Sequence, residues 1–133
     1  MQTPRLSAAR LHSDATDRRR RRSDDPLVAL HYQLSYARAE GAIDTIVVAD
    51  SAGVVVAGAG SWAACEELAA YAPLFERAEA ASPRIESLRG EVDVRRVRVG
   101  VDTVIICARG ARGAAGKSAI ERASAGVERI LAA

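Results

Sequence analysis

The sequence predicts one α/β domain of the α+β kind, an antiparallel sheet of about five strands flanked by helices. Three observations carry this. Two β-branched runs are separated only by a turn, so they pair as a hairpin. Three segments repeat apolar residues at helical spacing. The strands come in groups rather than alternating singly with helices, which favours antiparallel pairing.

Residues 1–24 (MQTPRLSAARLHSDATDRRRRRSD) are polar and without periodicity, and read as a disordered, Arg-rich tail; residues 25–133 form the domain. Asp25 suits an N-cap and Pro26 a first helical position. Leu27, Leu30, Leu34 and Ala37 then mark one apolar helix face, and Gly41 is placed to end it. Ile43 to Ala49 is β-branched and short. Asp50-Ser51-Ala52-Gly53 is a turn in which the Asp side chain bonds back to the backbone, and Val54 to Ala57 is the return strand.

Ser61 is positioned to cap a second helix whose Trp62, Cys65, Leu68 or Ala69, Ala72 and Phe75 share a side. Pro73 predicts a kink, or a division into helices at about 61–72 and 73–81. Ile85 and Leu88 are assigned to a short third strand ending near Gly90. Val92 and Val94 alternate with charge, as do Val97, Val99 and Val101, but the two sets are out of phase. A β-bulge or bend at Arg95-Arg96 is the expected cause. Thr103 to Ala108 is a continuous apolar run, read as a central strand. A last helix over roughly 115–131 carries Ile120, Ala123, Val127 and Ile130. The predicted order is α-β-β-α-β-β-β-α, with no internal repeat.

Composition fits a folded domain: 49% hydrophobic and 27% charged residues, but only 4% aromatic ones, so the core is built from Ala, Val, Leu and Ile. The net charge of +2 is uneven. Residues 1–25 hold seven Arg and four Asp, a net of +3, leaving twelve basic and thirteen acidic residues, a net of −1, for the rest. Lys117 is the single lysine beside eighteen arginines, a bias matching a GC-rich bacterial genome. Cys65 and Cys107 lack CxxC spacing and a neighbouring His, and read as buried small hydrophobes. There is no run of about 20 apolar residues, and no apolar stretch follows the arginines; the expectation is a cytoplasmic protein.

The glycine-rich Gly110 to Ser118 invites comparison with a phosphate-binding loop. That motif, G-x-x-x-x-G-K-[ST], requires glycine five residues before Gly116, where this sequence has Ala111. It reads as a loop before the last helix. His12 and His31 have no second His nearby, so no metal site is expected. Ser61 and Ser118 lack an activating context, and Glu66-Glu67 and Glu76/Glu79 read as a solvated helix face. No catalytic residue, cofactor site or metal site is assigned.

The element order and the run Val47-Val48-Ala49-Asp50-Ser51-Ala52-Gly53-Val54-Val55-Val56-Ala57 resemble the Roadblock/LC7 family, whose members often read val-val-x-asp-x-x-gly-leu-val-x-ala at this hairpin. The likeness spans about residues 26–131. It departs at Pro73 and at the weakly marked third strand, both on the side through which the family dimerises. The resemblance implies a homodimer or heterodimer with a sheet continuous across the interface and the second helices packed together. It further implies regulation or scaffolding of an NTPase, commonly a small Ras-like GTPase. Trp62, Glu66, Ala70 and Leu74 are the candidate dimer or partner contacts, with core packing as the alternative role of Trp62. Arg18, Arg19, Arg20, Arg21 and Arg22 are the candidate contacts to an anionic partner, nucleic acid included, or a solvated run. A ligand-sensing domain of the PAS or GAF kind is the other reading of the fold.

Overall fold

A computed structural model describes residues 17–75 and 83–132. Helix α1 (Asp17–Glu40) leads into the hairpin β1 (Thr45–Asp50) and β2 (Val55–Ala59). Helices α2 (Trp62–Phe75) and α3 (Pro83–Arg89) follow, then the hairpin β3 (Val92–Val99) and β4 (Asp102–Arg109), then α4 (Gly113–Ala132). The sheet has the order β2-β1-β4-β3, and every neighbouring pair is antiparallel.

Both faces of this sheet are covered. Ile46 and Val48 of β1 and Val104, Ile106 and Ala108 of β4 join Leu30, Leu34, Ala119, Ile120, Ala123 and Val127 beneath α1 and α4. Val47 and Ala49, with Ile105 and Cys107, point the other way, into Cys65, Leu68, Ala69, Ala72, Phe75 and Ile85 beneath α2 and α3. A strand buried on both faces has no polar side to show, which explains the uninterrupted apolar runs of β1 and β4.

The first hairpin forms as the sequence predicts. Asp50 Oδ1 accepts from the backbone N–H of Ala52 (2.9 Å) and of Val54 (3.0 Å), and Gly53 takes φ +87°. A bulge does exist, but in β2: Val48 faces Ala57 and Ala49 faces Val55, so Val56 is passed over.

Among the described residues the sheet has four strands, not five. Arg84 to Arg89 is helical in α3, because Pro83 suits the first helical turn and Ile85 and Leu88 sit one turn apart on the face turned to α2 and β3. An Arg89–Glu86 ion pair at 2.9 Å spans the same turn. The bulge expected at Arg95-Arg96 is also absent: β3 pairs with β4 in unbroken register from Val92–Arg109 to Val99–Asp102. The phase slip has another cause. Val92 and Val94 pack toward α2 and α3, whereas Val97 and Val99 pack toward α1 and α4. The strand changes which of its faces is covered, and its valines change parity with it.

Helix α1 begins at Asp17 rather than at Asp25-Pro26, and Pro26 lies inside it. Arginine is a good helix former, so the Arg run extends the helix although Pro26 has no N–H for the Arg22 carbonyl. Residues 1–16, the rest of the expected tail, lie outside the described residues. Helix α2 likewise continues through Pro73 to Phe75, and the expected second piece over 76–81 is outside them too.

Candidate functional site

Helix α2 is built to lie close on the sheet. Ser61 caps it: its Oγ accepts from the Ala64 N–H at 3.1 Å, and its carbonyl accepts from Cys65 N at 3.0 Å. Beneath its first turn, a Cβ added to Gly58 would stand 2.7 Å from Cys65 Sγ, so only glycine in β2 admits the helix at this distance. Desolvation in that contact pushes the Cys65 thiol above its ordinary pKa. Farther along, the hairpin turn at Gly53 comes up against the Ala69 carbonyl, the group that Pro73 cannot bond.

With Cys65, Leu68, Ala69, Ala72 and Phe75 turned inward, the opposite side of α2 is presented outward. Trp62, Glu66, Ala70 and Leu74 fall there at four-residue steps, one stripe along the helix. Trp62 is 57% exposed, Glu66 and Ala70 are exposed, and Leu74 is half-buried. Trp62, Glu66 and Ala70 are therefore brought together on the outward side, with Trp62 not filling the core, whereas Leu74 packs against the cluster beneath the helix. Ala63 and Pro73 extend the surface, so that Glu66 and Glu67 are the only charges of a 14-residue helix. A helix apolar on two sides, lying on one face of a sheet, presents a surface suited to cover by another chain.

A polar junction flanks the start of this helix. Asp44 Oδ2 accepts from Arg109 Nη2 at 3.0 Å and Nε at 3.3 Å, and from the buried Thr45 Oγ1 at 3.2 Å. The Arg109 guanidinium, then the Thr45 hydroxyl, hold the Asp44 carboxyl below the usual carboxylate range. Arg109 Nη1 also lies 3.9 Å from Glu67 of α2. The glycine-rich segment, expected as a loop, is helical from Gly113 onward in α4, and it serves packing here. A Cβ at Gly110, which has φ +89°, would meet Asp44 Cβ at 2.9 Å, and Gly116 is buried against Ala111.

Arg18 to Arg22 occupy the first turns of α1, in the same helix as a feature that sequence reasoning missed. Val28, Tyr32 and Tyr36 are exposed at four-residue steps, opposite the buried Leu30, Leu34 and Ala37. The signal was present in the spacing. Among the described residues, no group of three or more His, Cys, Asp or Glu is gathered to hold a metal ion, and no helix is long and apolar enough to cross a membrane.

Two solved structures share this architecture. The gliding protein MglB from Thermus thermophilus superposes with a TM-score of 0.55 at 19% identity, over 80% of this chain and 90% of that one. Myxococcus xanthus MglB gives 0.53 at 14% identity, over 78% and 88%. The chain has the Roadblock/LC7 fold. No family model and no curated protein matches the sequence. Among the described residues the sheet has four strands, and α3 stands where the sequence predicts a further strand.

Proposed function

We propose that the protein is a non-catalytic, dimeric adaptor that regulates or scaffolds a small Ras-like GTPase or a related signalling NTPase in the cytoplasm. The observation that carries this reading is the outward stripe of α2, in which the exposed Trp62 and Ala70 beside Glu66 are suited to burial against a second domain, with the half-buried Leu74 at its end. The likeness to MglB fits a GTPase-regulating adaptor role in general. A domain of this kind acts by holding a partner in one geometry, and its binding surface needs only area and shape. A reducing cytoplasm also suits two cysteines held buried as thiols.

Two measurements test the proposal. Light scattering on the purified chain is expected to give twice the monomer mass at tens of micromolar, and a strict monomer would refute the dimer. Hydrolysis by the small GTPases encoded near this gene is expected to change when the chain is added at stoichiometric amounts. Unchanged rates together with no detectable binding would refute the partner.

A further inference from the structure

Two features of α1 play no part in the α2 surface: the arginine run at its start and three exposed side chains along its length. Val28, Tyr32 and Tyr36 are each at least half exposed, on the side opposite Leu30, Leu34 and Ala37, which face the sheet. The helix period carries their line back through the exposed Asp25 to Arg21 and Arg18. One side of one helix thus passes from basic at its start to aromatic farther on.

Helix α4 lies tight against α1. A Cβ added to Gly126 would run into the Gln33 side chain, and one added to Gly41 would meet Ala119 Cβ at 2.7 Å, so the two helices run antiparallel in close contact. On that spacing α4 ends at Ala132 beside Leu27, and Asp17 to Pro26, about 15 Å of helix, runs on past it. Gln33 fills the seam, which leaves a level face rather than a cleft. The exposed side of α4 adds Arg122, Ala125 and Arg129, with Glu121 and Glu128 beside them. Arg122 is paired with Glu40, and Glu121 with Arg95, so this half of the face is close to neutral.

We propose that the outward side of α1 rests on an anionic lipid bilayer, with the arginine run among the headgroups and Val28, Tyr32 and Tyr36 at the boundary with the acyl chains. Tyrosine suits that boundary because its ring is apolar and its hydroxyl wet. Basic residues gain from the negative surface potential, and stable peripheral binding takes two such signals together. A nucleic acid duplex would use the arginines and leave the tyrosines idle, whereas a bilayer uses both. Charge also sets the orientation: the only charges of α2, on the far side of the sheet, are Glu66 and Glu67, which an anionic surface repels. The proposal goes beyond the adaptor reading and takes from it only a doubling. In a dimer with a continuous sheet, a two-fold axis normal to that sheet leaves both α1 helices on one side, so two contacts meet one plane.

Co-sedimentation of the full chain with lipid vesicles tests this. At about 0.1 M salt the chain is expected to bind vesicles of equal parts phosphatidylglycerol and phosphatidylcholine, and not vesicles of phosphatidylcholine alone. The double variants Arg18→Glu/Arg21→Glu and Tyr32→Ser/Tyr36→Ser are each expected to bind about tenfold or more weakly, with urea midpoints that match wild type. Binding that survives the tyrosine change, or that a mixed-sequence DNA duplex matches at the same salt, would overturn the bilayer contact in favour of a simple polyanion. A dimer that stays free of both kinds of vesicle refutes the contact and leaves the adaptor reading standing. A monomer that binds the anionic vesicles, and loses them in both variants, refutes the dimer and upholds the contact.

Discussion

Arg109 closes two of its guanidinium nitrogens on one oxygen of Asp44, Nη2 at 3.0 Å and Nε at 3.3 Å. The pair joins the last residue of β4 to the residue just before β1, and the backbone repeats the link, with Asp44 N donating to the Arg109 carbonyl at 3.0 Å. Arg38, in the last turn of α1, donates Nε to the Asp44 carbonyl at 2.8 Å. One residue thus fixes where the first helix meets the two central strands.

Neutralising Asp44 is expected to loosen that junction modestly. The carboxylate is mostly exposed, so solvent screens the pair, and Asp44→Asn is expected to cost about 0.5–1 kcal/mol in urea unfolding. The pH dependence has a definite sign. Because the folded-state pKa is depressed, the contribution is complete above the ordinary value of 3.8 and is lost as pH falls from there through the folded value. Acid titration of the Asp44→Asn variant is expected to show a shallower loss of stability below pH 3.8 than wild type. Parallel curves would contradict this.

Gly58 and Cys65 are expected to behave as a coupled pair. Adding a methyl to Gly58 drives it into the sulfur at 2.7 Å, beneath a helix held at both ends, and is expected to cost about 1–3 kcal/mol. Removing the sulfur leaves the Cys65 Cβ at 3.4 Å from that methyl, an ordinary contact. The Gly58→Ala/Cys65→Ala double variant is therefore expected to be more stable than the sum of the two single changes by about 1 kcal/mol. Additive denaturation midpoints would show that α2 simply moves away.

These two contacts show what the sequence holds and what it hides. The hairpin from Thr45 to Ala59 was legible because its turn chemistry is local: Asp50 bonds to residues two and four positions ahead, and Gly53 supplies its own φ. The stripe of Trp62, Glu66, Ala70 and Leu74 was legible because helical spacing fixes which residues share a side. Ile85 and Leu88 misled, since an apolar pair in a short segment fits a strand or a helical turn equally, and only the cover from α2 and β3 decides between them. The valines of β3 misled for the same reason: their parity records which helices lie above and below, a tertiary fact. Gly58 gave no local signal, because its reason is a sulfur seven residues away in another element.

Both thiols are expected to be silent in the folded state. Cys65 is 1% exposed and Cys107 fully buried, and burial also raises the Cys65 pKa, which depletes the reactive thiolate. Neither is expected to react with Ellman's reagent at about pH 8 within minutes, and both are expected to react at once in concentrated guanidinium. Rapid labelling of one thiol without denaturant would show that α2 opens from the sheet far more readily than this packing allows.

The outward stripe of α2 offers a separation of stability from association. Ala70 is exposed and one turn beyond Glu66, so Ala70→Arg adds an i,i+4 ion pair in the favourable orientation and is expected to leave the unfolding midpoint within about 0.5 kcal/mol of wild type. In a dimer with its second helices packed together, the same change places a guanidinium from each copy in an apolar seam, and the dissociation constant is expected to rise on the order of a hundredfold. Trp62→Ala, which removes the largest exposed apolar side chain of the helix, is expected to act in the same direction by lost area rather than by added charge. Unfolding curves that coincide with wild type, beside sedimentation profiles that do not, would place the interface on α2. Unchanged dimerisation in both variants would remove α2 from it.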